Sequence, residues 1–494
     1  MNNDFPMNTV GKDRVSEDNK GKITLTKGQE DAVKGLVEFI NAPYDKGKSV
    51  YGLTGPGGVG KTFVTRQIVA KCKLQPSTIK CTSPTHKACR VFSNAVGLNV
   101  DTIQSTFGFR LNLNIEDFDI KNPAFQPISS PKLENIQLLI CDEASMLNAS
   151  LVTYIINKCQ DLNIKVLFIG DEAQLSPVNE TRSSAFYKCN KVFRLTEIIR
   201  QGEGNPILIL LDLLRHDIAN CKKGSRKFLD YISKNAGQHI YNTKGEGFSI
   251  ISPKQFTALI REKFNDEEYT KNIEMYKLIA YTNICVTQWN NFIRNNIIQD
   301  CDKAVITKND LIMSYETIVD EFNDIIINNS EEYIINDLVN YTNSTYGFKG
   351  FLIKFQMVNG GRITKPLFVI DHTDKYTVLQ YVKVLNELVA DAQKATGGTR
   401  AAKWKEYYNF KKQFLIATNI KQGEQIKYKR DLDYAFAITS HKSQGSTYDN
   451  VFVDVNDMIF TSTGSTYANY EELLRRLYVA CSRARKELVL SFGR

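Results

Sequence analysis

Residues 55–62 read Gly55-Pro56-Gly57-Gly58-Val59-Gly60-Lys61-Thr62, a complete G-x-x-x-x-G-K-T spacing. Glycines at these positions let backbone N–H groups close around phosphate oxygens with no side chain in the way. Lys61 brings positive charge to the β and γ oxygens, and the Thr62 hydroxyl is a ligand for Mg²⁺. Such a loop needs a buried strand before it and a helix after it. Residues 49–54 read as a short buried strand and residues 63–72 as a helix, so the flanks agree with the spacing. A chance glycine-rich turn would lack both. The loop indicates a bound nucleoside triphosphate.

A second apolar run, residues 136–141, ends in Asp142 and Glu143. Following a phosphate loop, Asp142 would hold Mg²⁺, and Glu143 would position and polarise the attacking water. Alone, an Asp-Glu pair at a strand end is weak evidence; after residues 55–62 it is strong. Glu143 separates a hydrolase from a kinase-like or merely binding pocket. A third run, residues 166–169, leads into Gly170-Asp171-Glu172-Ala173-Gln174-Leu175. There Gln174 is placed to sense the γ-phosphate, although composition alone favours a plain polar loop. Arg200 and Arg483 are guanidinium candidates for the charge that builds on a transferring phosphoryl group. Spacing alone does not select them from other arginines.

These groups must be positioned by strands. Apolar runs recur at 78–83, 136–141 and 165–169 with helical spacing between them, which predicts a parallel, doubly wound α/β sheet. Ordered structure is expected from Ile23, after a polar tail at 1–22, with a Thr26-capped helix ahead of the first strand. Between 102 and 132 the pattern breaks into aromatics, Asn and Pro and reads as an excursion from the first domain, 23–200. A second α/β domain is expected over 201–301 and 431–494, with a strand at 278–281, a helix at 286–298 and a return to strand at 434–439. The β-rich stretch 302–430, with a Lys-rich helical piece at 381–414, reads as an insertion into it.

Bulk properties fit this division. The 494 residues exceed one comfortable core. With 42% hydrophobic and 24% charged residues the chain is an ordinary globular one rather than a disordered one. A net charge of +9 suits a polyanionic partner but is too dilute to demonstrate one. The ten cysteines contain no CxxC pair, so free thiols in a reducing cytosol are expected. No apolar leader or membrane span is read, and no further carboxylate cluster suggests a nuclease.

Taken in order, Gln29, residues 55–62, Ser83-Pro84-Thr85-His86, Asp142-Glu143-Ala144-Ser145, residues 170–175, Ile199-Arg200, residues 439–447 and residues 478–485 resemble the motif series of superfamily 1 helicases. Within it the chain is most similar to the Dda-type helicases of large tailed phages, in the RecD-like 5′→3′ branch. The resemblance implies two RecA-like domains around ATP and Mg²⁺, with a pin insertion in the first, an SH3-like insertion in the second, and single-stranded DNA across both. Gln29 would read adenine. Arg200 and Arg483 would reach the γ-phosphate from the domain interface. Gln444 and Gly445 would couple nucleotide state to DNA grip. Thr85 and His86 on the first domain, and Asn283, His441 and Lys442 on the second, would touch the strand. Phe125 occupies the position of the pin's stacking aromatic, with a small local core beside Phe107 and Phe118 as the alternative. Trp404 is expected in packing. The tail, residues 415–428 and the acidic, Asn-rich piece 320–343 depart from the subgroup.

The leading expectation is a monomeric, cytoplasmic, ATP-dependent helicase acting on single-stranded and forked DNA. A single-strand-binding protein or other replication proteins are candidate partners. Two alternatives stay open: a translocase that mainly strips proteins or remodels forks, and a non-motor ATPase switch. RNA as the track is not excluded by any residue.

Overall fold

The computed structural model describes residues 25–109, 118–119, 125–175, 177, 180, 183–197, 204–298, 301, 304–320, 324–358, 361, 363–422 and 425–493. The tail expected at 1–22, the candidate Arg200 and much of the 102–132 excursion lie outside them.

The first helix, Lys27–Asn41, starts at a capping box. The Thr26 hydroxyl accepts from the Gln29 N–H, and the Gln29 side-chain oxygen accepts from the Thr26 N–H. Its buried face, Ala32, Val33, Leu36, Phe39 and Ile40, covers one side of a six-stranded sheet. That sheet runs in the order Val100–Thr102, Ile79–Ser83, Leu138–Cys141, Lys165–Gly170, Val50–Thr54, Lys191–Arg194, every pair parallel. Its interior strands bury both faces. Leu138, Ile140, Leu167 and Ile169 pack with the first helix, whereas Leu139, Cys141, Val166 and Phe168 pack on the opposite side. This two-faced burial is why those strands are continuous apolar runs rather than alternating ones.

A second six-stranded sheet has the order Ala437–Thr439, Tyr276–Ala280, Tyr448–Asp454, Ala484–Ser491, Gly247–Ile251, His239–Tyr241, parallel except at the last strand. A five-stranded antiparallel sheet, Leu367–Ile370, Lys349–Met357, Glu332–Thr342, Leu311–Ser314, Leu432–Tyr434, lies between its segments in sequence. The helices Lys375–Lys394 and Gly397–Gln413 pack on that sheet through Tyr381, Leu385, Phe410 and Phe414. Trp404 clusters with Tyr407 and Tyr408, ring centroids 5.6 and 6.2 Å away. The run expected as one strand at 434–439 is split. Leu432–Tyr434 pairs with the antiparallel sheet and Ala437–Thr439 with the parallel one, so the chain changes sheets across two buried residues, Ala435 and Phe436. All ten cysteines are free thiols, and no described helix is long and apolar enough to cross a membrane.

One buried cation fastens the antiparallel unit at its root. Arg294, in the last turn of the helix Asn283–Ile297, forks onto Asp310 at 2.7 and 3.0 Å. It also donates to the Cys301 and Ala304 carbonyls at 2.8 and 3.0 Å, and it lies over the Tyr434 ring on the returning chain. Removing it leaves the fully buried Asp310 carboxylate unpaired. Arg294→Ala is expected to lower stability by about 3–5 kcal/mol, read from chemical denaturation; a loss within experimental error would show that Asp310 does not depend on this partner.

Candidate nucleotide site and nucleic-acid interface

Four candidate segments leave the carboxyl ends of adjacent parallel strands in the first sheet. Pro84-Thr85 follows Ile79–Ser83, Asp142-Glu143 follows Leu138–Cys141, residues 171–175 follow Lys165–Gly170, and the phosphate loop follows Val50–Thr54. Crevices at that edge are where open α/β sheets bind ligands.

Two glycines of the loop, Gly55 and Gly60, admit no larger residue without a shift of their neighbours. Gly60, the N-cap of the helix Lys61–Lys71, has φ 79°, and a Cβ there would meet the Gln29 side-chain nitrogen at 2.7 Å. A Cβ on Gly55 would meet the Leu195 carbonyl oxygen at 2.4 Å. Gln29 is buried and already engaged. Its amide nitrogen donates to the Val59 carbonyl at 3.0 Å while its oxygen serves the capping box, so it ties the first helix to the loop. The Lys61 ammonium donates to the Gly55 and Pro56 carbonyls at 2.7 and 2.9 Å. Those are weak acceptors beside phosphate oxygens, which could displace them.

Desolvation, with the Glu143 charge next to it, pushes the Asp142 carboxyl up to about 7. Glu143 adopts a left-handed backbone, φ 50°, unusual for a residue with a side chain. It begins the tight turn Ala144–Met146. The hard-oxygen set of Thr62 hydroxyl and Asp142 carboxylate suits Mg²⁺. Gln174 is buried, and its side-chain oxygen has no hydrogen-bond partner among the described residues.

The second sheet supplies the opposite wall. Arg483 is buried, donating to the Val479 and Ser446 carbonyls at 2.9 and 3.1 Å and to the Ser482 hydroxyl at 2.8 Å. Burial lowers its pKa, and the charges of Glu143 and Asp171 in the first sheet oppose that shift. Tyr478 donates to Asp171 at 2.8 Å, and Gln444 donates to the Leu175 carbonyl at 3.5 Å. Gly445, φ 72°, lies so close to the helix His86–Val96 that a Cβ would sit 3.8 Å from the Ala88 Cβ.

The expected strand-contacting residues fall into two groups. Thr85 caps the helix His86–Val96 by accepting from the Ala88 N–H at 3.2 Å, and His86 is half-buried with its pKa lowered by desolvation. Lys442 directly, and Asn283 through Arg430, meet one tyrosine of the antiparallel unit. The Lys442 ammonium lies 5.0 Å from the Tyr315 ring and donates to Ser330 at 3.0 Å. Arg430 lies 4.6 Å from the same ring and donates to Asn283 at 3.4 Å. His441 follows the adjacent strand Ala437–Thr439. The sequence reading missed Tyr315 and Arg430. The Lys427, Lys429, Arg430 run was the available signal, but nothing local pairs it with Tyr315.

Phe125 differs from its placement as a stacking aromatic. Its side chain is 7% exposed and packs edge-on against Phe118, centroids 5.3 Å apart, in a core with Phe107, Phe109 and Tyr154. The local-core alternative is the one observed. Five apolar rings gain more from mutual burial than one gains by waiting in water.

A phosphate loop and carboxylate pair on one parallel sheet, faced by a buried arginine from a second, define a two-lobed P-loop NTP hydrolase. Comparisons narrow the class. The AAA domain family matches residues 24–226, and the UvrD-like helicase C-terminal domain family matches residues 434–491. The chain is 23% identical over 488 residues to the ATP-dependent DNA helicase dda of Enterobacteria phage T4, covering 94% of this chain and 98% of that one. It is 24% identical over 521 residues to an uncharacterized protein of Acanthamoeba polyphaga mimivirus, with the same coverage. Its fold is shared with Bacteroides Pif1 bound to single-stranded DNA, TM-score 0.50 at 17% identity over 95% of this chain and 93% of that one. The chain belongs to the superfamily 1B helicases of Pif1/Dda type.

Because Phe125 is a core residue, Phe125→Ala is expected to destabilise the first domain by about 3–5 kcal/mol. ATPase and unwinding should then decline together as temperature rises. Loss of unwinding alone, with an unchanged melting temperature, would return Phe125 to a stacking role.

Proposed function

We propose that this chain hydrolyses ATP to move 5′→3′ along single-stranded DNA and to separate the duplex ahead of it. The observation that supports this most directly is the division of the site. The phosphate loop, Asp142 and Glu143 belong to one sheet, and Arg483 belongs to the other, buried within the electrostatic reach of Glu143. Chemistry that needs both halves is obligatorily tied to the relative position of the two sheets, which is the requirement for a motor.

In this reading residues 55–62 hold the triphosphate, and Lys61 leaves the loop carbonyls for its β/γ oxygens. Mg²⁺, held by Thr62 and Asp142, would supply charge neutralisation at those oxygens. Glu143 orients a water and takes its proton. Arg483, with Arg200 as a second candidate, meets the charge developing on the γ-phosphoryl group from across the cleft. Gln29 borders the loop where an adenine would lie. The Gln174 amide registers loss of the γ-phosphate, and the segment containing Gln444 and Gly445 carries that change to Asn283, His441 and Lys442. Thr85 and His86 provide the matching grip on the first sheet. Single-stranded and forked DNA are the substrates of this reading, with the polarity argued from the motif series.

The test is strand displacement and ATPase on duplexes with a 5′ or a 3′ single-stranded tail. Unwinding is expected only from 5′ tails, with ATPase stimulated by single strands. Lys61→Ala should reduce turnover by about 10²–10³-fold without affecting folding. Unwinding from 3′ tails alone would refute the polarity, and ATPase indifferent to DNA would refute the motor.

A further inference from the structure

The loop that follows the strand Lys165–Gly170 is gripped from the other lobe by a residue with no role in the motif series. Arg475 lies on the helix Tyr470–Cys481 of the second α/β unit. One guanidinium nitrogen, Nη1, donates to two first-sheet backbone carbonyls, those of Glu172 at 2.5 Å and Gln174 at 3.0 Å. The remaining face of the guanidinium is held by Glu471, one turn earlier, with Nε and Nη2 reaching one carboxylate oxygen at 3.2 and 2.9 Å. Tyr478 is three residues further along and therefore on the same helical face. It fixes the beginning of the same loop through Asp171. Gln174, whose own carbonyl is one of the two that Arg475 holds, has its side-chain oxygen buried and unmatched among the described residues.

We infer that Arg475 is a positioning residue for the Gln174 loop. By clamping the Glu172 and Gln174 carbonyls from the second unit, it sets where the Gln174 amide points and makes that direction depend on how the two units sit. The chemistry selects arginine specifically. Two acceptors plus an orienting carboxylate need a planar fork with several fixed donors, whereas a lysine ammonium on a flexible stem can satisfy only part of the set. The Arg475 guanidinium is engaged by the Glu172 and Gln174 carbonyls and by Glu471. Its contribution lies in transmission, so its loss should appear in how strongly DNA stimulates hydrolysis rather than in how well ATP binds.

This inference rests on the motor reading above, and the experiment separates the two. Steady-state ATPase is measured on the full chain with and without oligothymidine. Arg475→Ala is expected to lower the DNA stimulation ratio by about fivefold or more through kcat, with KM for ATP within about twofold of the parent. Arg475→Lys should recover part of the ratio. Glu471→Gln, which loosens the guanidinium without removing it, should shift the ratio in the same direction by less, and it serves if Arg475→Ala does not fold. An unchanged ratio in both Arg475→Ala and Glu471→Gln overturns the inference, as does a rise in KM that accounts for the whole loss. If the parent protein itself shows no stimulation by oligothymidine, the motor reading fails instead.

Discussion

A guanidinium buried among neutral partners is the constraint on which this architecture turns. Arg483 donates to two carbonyls and a hydroxyl, which satisfy its protons but do not neutralise its charge. Desolvation works against it, and the carboxylates that favour its charge, Glu143 and Asp171, stand on the other sheet. Asp142 has the complementary problem, a carboxyl pushed up by burial and by its neighbour's charge, relieved only in part by the Glu143 backbone N–H and by Lys61. Each wall of the cleft thus lacks a counter-charge that the other wall or a bound ligand can supply. Such a site favours an anionic guest flanked by cations, and it penalises a separation of the walls that leaves Arg483 alone.

Keeping the walls in register falls to a short piece of chain. Residues 440–447 connect the end of Ala437–Thr439 to the start of Tyr448–Asp454, two strands that both run parallel to Tyr276–Ala280 between them. A parallel crossover ordinarily takes a dozen or more residues and a helix. This one is a tight series of turns lying against segments that follow strands of the first sheet. Gly445 lies against Ala88, and Gln444 reaches Leu175. The left-handed φ of 72° at Gly445 lets the chain turn at closest approach. The same eight residues begin near Asn283 and His441 and end at the Ser446 carbonyl that holds Arg483. They are a physical link between the expected DNA face and the nucleotide face.

The parts of this arrangement that were legible in the sequence are those with local chemistry. Glycine spacing, an apolar run ending in carboxylates and a threonine cap each leave a short-range mark, and the strands they imply are present. What was not legible depends on contacts between distant residues. The run at 434–439 is largely apolar, and no periodicity reveals that its halves pair with different sheets. Phe125 has the same composition whether it faces solvent or Phe118, and only the meeting of Phe107, Phe109 and Tyr154 decides. Arg475 is the extreme case. Its acceptors are main-chain carbonyls, which every residue possesses, so its target leaves no trace in side-chain identity.

The antiparallel unit is tied into the same mechanics through buried charge. Glu331 and Glu332 lie at the start of its strand Glu332–Thr342. Glu331 pairs with Arg90, on the helix that begins with His86, at 3.2 Å. Glu332 accepts from Lys277 at 3.2 Å and from Tyr448 at 2.9 Å, both in the second parallel sheet. Lys277 and Glu332 are almost wholly withdrawn from water. Ion pairs of this kind add little net stability over an apolar equivalent, because desolvation offsets attraction, but an unpaired member is severely disfavoured. They therefore fix relative position more than they strengthen the fold. Two adjacent glutamates join three units at one point, one turn or so from Thr85 and His86. A displacement of the first sheet relative to the second must either carry the antiparallel unit along or expose Glu331, whose second oxygen already lacks a partner among the described residues. The insertion is thus mechanically coupled to both parallel sheets, with its Tyr315 held beneath Lys442 and Arg430.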